Sequence, residues 1–140
     1  MSNLSCFLAG NAAKRENRKL VVSERFRDKN GPVEWEIRPI SAAEDEQLRK
    51  ACTKRVPVPG KKNQYTQDFD ANGYLTKLAA KAVVFPDLNS AELQDSYGVM
   101  GAEQLIKAML YKDEFDCLTE ALVEDTETEN INDLVDEAKN

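Results

Sequence analysis

The hydrophobic period of this chain changes sharply at one place, and that change limits the folds open to it. From Val33 to Ile40 apolar and polar residues alternate, with Val33, Trp35 and Ile37 on one side and Glu34, Glu36 and Arg38 on the other. That is the period-two pattern of a strand with one buried face. Ser41-Ala42-Ala43-Glu44 follows at once. A serine with a glutamate three residues on is a capping box, in which each side chain satisfies a backbone N–H of a helix start. Upstream, Leu20 and Val22 alternate with polar residues within Lys19–Phe26, although Val21 and Phe26 break the pattern. Asp28-Lys29-Asn30-Gly31 lies between the two runs, and Asn-Gly there reads as the turn of an antiparallel hairpin. Downstream the spacing is helical. The order predicts an α+β fold, mostly α, with an N-terminal β-hairpin followed by a cluster of short helices.

The helical part divides at its caps and breakers. Ser41 opens a helix through about Lys54, with a narrow stripe at Leu48 and Cys52, and Val56-Pro57-Val58-Pro59-Gly60 stops it. Gly60–Gln67 is polar and reads as an exposed loop. A second helix is expected from Asp70–Asn72 to Phe85, because Leu75, Leu78, Ala79, Ala82 and Val83 form a core-facing stripe. Pro86 ends it. Asn89 with Glu92 marks another start and Gly98 a stop. Gly101–Leu110 follows, with Leu105, Ile106, Met109 and Leu110 inward. A last core helix begins at Asp113 or Asp116 and carries Phe115, Leu118, Leu122 and Val123. Before the hairpin, Asn3 caps a short helix over Leu4–Ala9, and 11–17 reads as a linker.

Charge separates a body from a tail. Residues 1–112 hold 18 Lys and Arg against 14 Asp and Glu, a net of +4, whereas 113–140 hold 11 acidic residues against one Lys, a net of −10. The expected organisation is one globular domain over 1–123 and an acidic C-terminal tail over 124–140. Ile131, Leu134 and Val135 make Asn130–Lys139 compatible with a short helix. An acidic tail repels phosphate, so generic nucleic-acid binding is disfavoured. No apolar run approaches the ~20 residues of a membrane span; the longest, Leu78–Phe85, is interrupted by Lys81. A soluble cytoplasmic protein is expected, with no membrane partner.

The chain has no histidine, which removes Ser-His-Asp and Cys-His nucleophile systems and His-ligated metal sites. Cys6, Cys52 and Cys117 are too far apart for a C-x-x-C site and read as reduced thiols. Asp68-x-Asp70-x-Asn72-Gly73 matches the first half of a calcium loop. The twelfth position, where a bidentate Glu closes the cage, is Ala79, so Asp70 and Asn72 read as helix-capping and turn residues and no metal is expected. Arg49, Lys50, Lys54, Arg55, Lys61 and Lys62 form a basic segment with Tyr65 as the nearby aromatic. Stacking platforms need more rings than this, so it reads as a solvated face. Trp35 reads as a core anchor. No catalytic constellation or cofactor motif emerges. The residues alone describe an interaction protein, not an enzyme.

Several stretches together resemble a known family. They are Met1-Ser2-Asn3-Leu4 with Phe7-Leu8, Trp35-Glu36-Ile37-Arg38 with Ile40-Ser41, Glu44-Asp45-Glu46 with Leu48-Arg49, and Leu88-Asn89 with Ala91–Glu103. Gln94–Glu103 is the most specific. The set resembles the XkdN-like tail assembly chaperones of contractile-tailed phages and prophages of Gram-positive bacteria, across nearly the whole chain. The resemblance implies a role in virion assembly: binding the tape measure protein so that the tail tube can polymerise around it, with the tail tube protein as a second candidate partner. Helix-in-groove contacts would carry the binding. The apolar helix faces over 92–123 are the candidates for that contact, Leu93, Tyr97, Val99, Met100, Leu105, Ile106 and Met109 above all, and for each of them a place in the domain core is the competing and favoured reading. The alternatives are a structural or adaptor component of the tail and a nucleic-acid-binding regulator using residues 49–62.

Overall fold

The computed structural model describes residues 3–123. The expected acidic tail over 124–140, with the short helix expected at Asn130–Lys139, lies outside them. The order of elements is α+β, with helices dominating after Ser41.

Strand β4 (Trp35–Ile37) is the middle of a three-stranded antiparallel sheet, between β1 (Arg18–Leu20) and β7 (Val83–Phe85). Trp35 and Ile37 are both fully buried, as the alternation requires. In place of one continuous hairpin around Asn30-Gly31 there are two separate ladders in two different sheets. β1 meets β4 with Leu20 opposite Trp35, and β2 (Arg27–Asp28) meets β3 (Gly31–Pro32) beside the turn. Between them the chain leaves the ladder at Val21. Val22 drops into the core, Phe26 tilts against Trp35 with ring centroids 5.8 Å apart, and Arg25 reaches Glu114. Three buried or paired side chains there replace a continuous ladder.

Helix α1 (Ala42–Ala51) has the expected capping box at Ser41 and Glu44. It ends three residues earlier than Lys54, because residues from Thr53 form a strand. β5 (Thr53–Pro57) and β6 (Tyr65–Phe69) make a second hairpin, where a helix end and a loop were expected. Helix α2 (Ala71–Ala82) is capped by Asp70, whose carboxylate accepts from the Gly73 N–H at 3.0 Å. A Cβ on Gly73 would lie 2.4 Å from that carboxylate, so the cap needs glycine there. The helix stops at Ala82, not Phe85. Val83-Val84-Phe85 is β-branched and aromatic, which favours a strand, and it joins the free edge of β4.

α3 (Ala91–Ser96), α4 (Ala102–Met109) and α5 (Lys112–Val123) complete the described fold; α3 is capped by Ser90, one residue after Asn89, and α5 starts at Lys112, just before Asp113. α2 packs on α1, α4 and α5. Leu78, Ala79 and Ala82 of α2 meet Leu105, Ile106 and Met109 of α4 and Leu118 and Leu122 of α5 in one cluster under the sheet's Trp35 and Ile37. The N-terminal segment forms a 3-10 helix at Asn3–Phe7 and leaves Leu4 and Phe7 exposed.

Candidate partner-binding surface

The α3–α4 connection is five residues, Tyr97–Gly101, and a network of short-range bonds fixes its shape. Gly98 and Gly101 both take positive φ, 67° and 95°, which L side chains rarely adopt. The Gln94 side chain spans the turn: its amide donates to the Leu88 carbonyl at 2.8 Å and its carbonyl accepts from the Gly101 N–H at 3.1 Å. The Gln94 backbone carbonyl accepts from Val99, and that of Asp95 from Gly98. Gln94, Gly98 and Gly101 therefore act together in holding the turn.

This turn divides the seven residues singled out above. Met100 stands 88% exposed and Tyr97 39% exposed. Leu93 and Val99 are half-buried against the core. Leu105, Ile106 and Met109 are core residues, Leu105 and Ile106 with no exposed surface at all. They face α2 and present nothing to a partner in this conformation. Their helical spacing reports burial, and spacing alone does not separate a core stripe from a docking stripe.

Two residues that sequence reasoning did not single out join Tyr97. Arg25 lies over the Phe26 and Tyr111 rings at 4.9 and 4.7 Å, and the Tyr97 phenol is near enough to act on its charge. Tyr111 is 67% exposed. The guanidinium is held from behind: it donates to both Glu114 oxygens, at 2.6 and 2.8 Å, and to the Met109 carbonyl at 2.8 Å. Glu114 is buried and also accepts from the Tyr111 N–H at 2.8 Å. The Arg25 bond foremost, and then the Ser23 and Tyr111 contacts, outweigh burial and hold the Glu114 carboxyl down at about 2. The result is an exposed group of Tyr97, Tyr111 and Arg25 on a braced base, with Met100 exposed on the neighbouring turn. Tyrosine and arginine are the residue types that dominate binding hot spots. A large aromatic just past the α4 stripe was the one sequence signal for Tyr111; nothing in the sequence placed Arg25 beside it.

The other features singled out above have structural places. Asp68 is in β6 and Asp70 caps α2. Arg49 pairs with Asp45, Lys50 with Glu46, and Arg55 stacks on Tyr65 at 4.3 Å. Cys52 is buried, whereas Cys6 and Cys117 are exposed. Among the described residues no group of three or more Cys, Asp or Glu is placed to hold a metal ion, and no helix is long and apolar enough to cross a membrane.

The described residues form a small α+β protein in which five helices gather against a three-stranded antiparallel sheet. More specifically, the chain belongs to the phage XkdN-like tail assembly chaperone family, whose profile matches residues 4–139. Tail assembly chaperoning is a non-enzymatic role. The chain is 27% identical over 141 residues to the phage-like element PBSX protein XkdN of Bacillus subtilis (strain 168), covering 99% of this chain and 94% of that protein. It is 25% identical over 109 residues to the uncharacterized protein YqbN of the same strain, covering 77% and 72%. A crystal structure of the protein YqbN has the same fold, with a TM-score of 0.72 over 89% of this chain and 95% of that one at 20% identity.

Proposed function

We propose that this chaperone binds the tape measure protein in the host cytoplasm while the tail is built, and that Tyr97, Met100, Tyr111 and Arg25 form the contact. The observation that carries the reading is Met100, an unbranched apolar side chain 88% exposed on a turn that Gln94 holds in place. Ordered exposure of this kind offers a methionine to a partner without first paying to order the loop, and methionine adapts its shape to varied apolar surfaces. A tape measure protein is a long helical chain with apolar faces, and covering such faces keeps it from aggregating. Leu93 and Val99 support the turn from below, and Leu105, Ile106 and Met109 are the base on which it sits.

The test is co-purification of the full chain with the tape measure protein of the same locus. Met100→Asp and Tyr97→Ala should each weaken the complex by about tenfold or more, equivalent to ~1.4 kcal/mol, with unchanged melting of the free chaperone. Binding at parental strength by both variants would place the contact elsewhere. A chaperone should also be absent from purified particles, which mass spectrometry of finished tails reads directly.

A further inference from the structure

The β5–β6 hairpin is a sheet of its own. All five residues of β6 are exposed, and of β5 only Thr53 and Val56 are half-buried. The base of the hairpin is anchored. The Asp70 N–H donates to the Cys52 carbonyl at 2.8 Å, and the Phe69 ring tilts against Tyr74 with centroids 5.6 Å apart. Tyr74 in turn lines a cleft of about 330 Å³ that opens where the β4–α1 junction faces α2 and the end of α5. Natural edge strands are protected from pairing by lysine, proline or a bulge. Tyr65–Phe69 holds no lysine or proline, and its register on β5 runs without a shift.

The register fixes which backbone groups of β6 face outward. Asp70 donates to Cys52 at one end of the ladder, and the Val58 N–H donates to the Gln64 carbonyl at 3.0 Å at the other. In an antiparallel ladder bonded and non-bonded pairs alternate. Lys54–Asp68 and Val56–Thr66 are therefore the bonded pairs between those ends, and Thr53–Phe69, Arg55–Gln67 and Pro57–Tyr65 the non-bonded ones. The N–H and C=O groups of Tyr65, Gln67 and Phe69 point away from β5, along the open edge, and have no hydrogen-bond partner among the described residues. They recur at every second residue, about 6.8 Å apart, the interval at which a third strand presents its own donors and acceptors.

The side chains around this edge define what fits it. Residues 53–69 hold Lys54, Arg55, Lys61 and Lys62 against Asp68, a net of +3, and none of the four cations forms an ion pair with another described residue. Arg55 lies over the Tyr65 ring at 4.3 Å, and Tyr65, Gln67 and Phe69 share that face of the hairpin. Tyr65 and Phe69 remain 52% and 41% exposed. Unpaired cations beside two open rings call for a segment that brings carboxylates together with apolar side chains. A nucleic acid would meet the cations, but its backbone has no N–H to give the outward carbonyls. A second copy pairing edge to edge would bring two hairpins of +3 together, which like-charge repulsion opposes.

We propose that the open edge of β6 receives an extended, net-acidic segment of another protein as a third strand. Its backbone bonds to Tyr65, Gln67 and Phe69. Its apolar side chains cover the Tyr65 and Phe69 rings, and its carboxylates meet Arg55 on that face and Lys61 and Lys62 at the turn. This surface is distinct from the Tyr97–Met100 turn, and the inference does not depend on which partner that turn binds.

The test is an NMR titration of the full chain with the end-capped peptide Glu-Glu-Val-Thr-Val-Thr-Val-Glu-Glu. The Tyr65, Gln67 and Phe69 amides should shift and, at saturation, exchange about tenfold or more slowly, whereas Thr66 and Asp68, already bonded to β5, should change little. Gln67→Pro removes an outward donor and no ladder bond and should weaken the peptide about tenfold. The double variant Lys61→Glu, Lys62→Glu, which touches no ladder bond, should do the same and keeps the test valid if the proline disturbs the hairpin. The same peptide N-methylated at its five central residues should not bind, and one with lysine in place of glutamate should bind at least tenfold more weakly. Unchanged Tyr65, Gln67 and Phe69 amides at millimolar peptide overturn the proposal. So does equal binding by the N-methylated or the lysine peptide, and so does slowing of these amides with protein concentration alone, which reports pairing with a second copy.

Discussion

Glu114 joins two parts of the chain that lie far apart in sequence, since it accepts from Arg25 and braces the start of α5 through the Tyr111 N–H. Its carboxyl titrates at about 2 when folded, against an ordinary 4.5. A depressed pKa means stability that is fully present above the ordinary value and is lost as pH falls through the folded one. Glu44 has the same sign, held at about 2 first by Arg38 and then by the Ser41 N–H. Thermal melts should therefore be level from neutral pH down to about 5 and then fall steeply between about 4.5 and 2. Glu114→Gln should lose about 2 kcal/mol at pH 7, the worth of hydrogen bonds to a charged group, and should flatten part of that acid slope. A Gln variant with the parental slope would show that Glu114 is not the titrating group. Gly101 sets a different residue-scale test. A Cβ there meets nothing within 4 Å, so Gly101→Ala should cost only its backbone strain at φ 95°, about 1–3 kcal/mol by chemical denaturation.

At the scale of elements, α1 to α5 were legible because each has a start signal or a full apolar stripe. Ser41 and Glu44 make the box that the sequence spells, and Asp70 caps α2. The β5–β6 hairpin was not legible. Period-two patterning arises from burial of one face, and every residue of β6 is exposed, so Tyr65–Phe69 shows only polarity. Its turn was nearer the surface of the sequence: Pro59-Gly60, with Gly60 at φ 77° and the Lys61 N–H donating to Val58, has the residues of a type II turn. The same limit applies to the candidate site. Leu105 and Ile106 carry the strongest helical spacing and are buried, whereas Met100 and Tyr97, outside that stripe, are exposed. Arg25 could not be found because its partner lies 89 residues away. Ile106→Ala should thus cost about 2–5 kcal/mol of stability, and Met100→Asp within about 0.5 kcal/mol, as measured by urea unfolding. Equal losses in the two would contradict this division of core from surface.

At the scale of the molecule, charge and packing are segregated along the chain. Every core residue among the described ones lies between Val22 and Leu122, and α5 presses Leu118 and Leu122 onto α2 and the cleft. Residues 124–140 carry Ile131, Leu134 and Val135 as their only large apolar side chains. Burying apolar surface is the main source of folding stability, so a chain ending at Val123 should keep its cooperative melt. The missing −6 moves the charge of the remaining chain from −6 to zero, and a protein near zero net charge self-associates more readily. The truncated chaperone should therefore melt as one unit and yet precipitate at lower concentration than the full chain at pH 7. Calorimetry and light scattering on the same samples separate the two effects. Loss of the cooperative transition would mean that Ile131, Leu134 and Val135 complete the core, and that the acidic end is part of the folding unit and not an appendage to it.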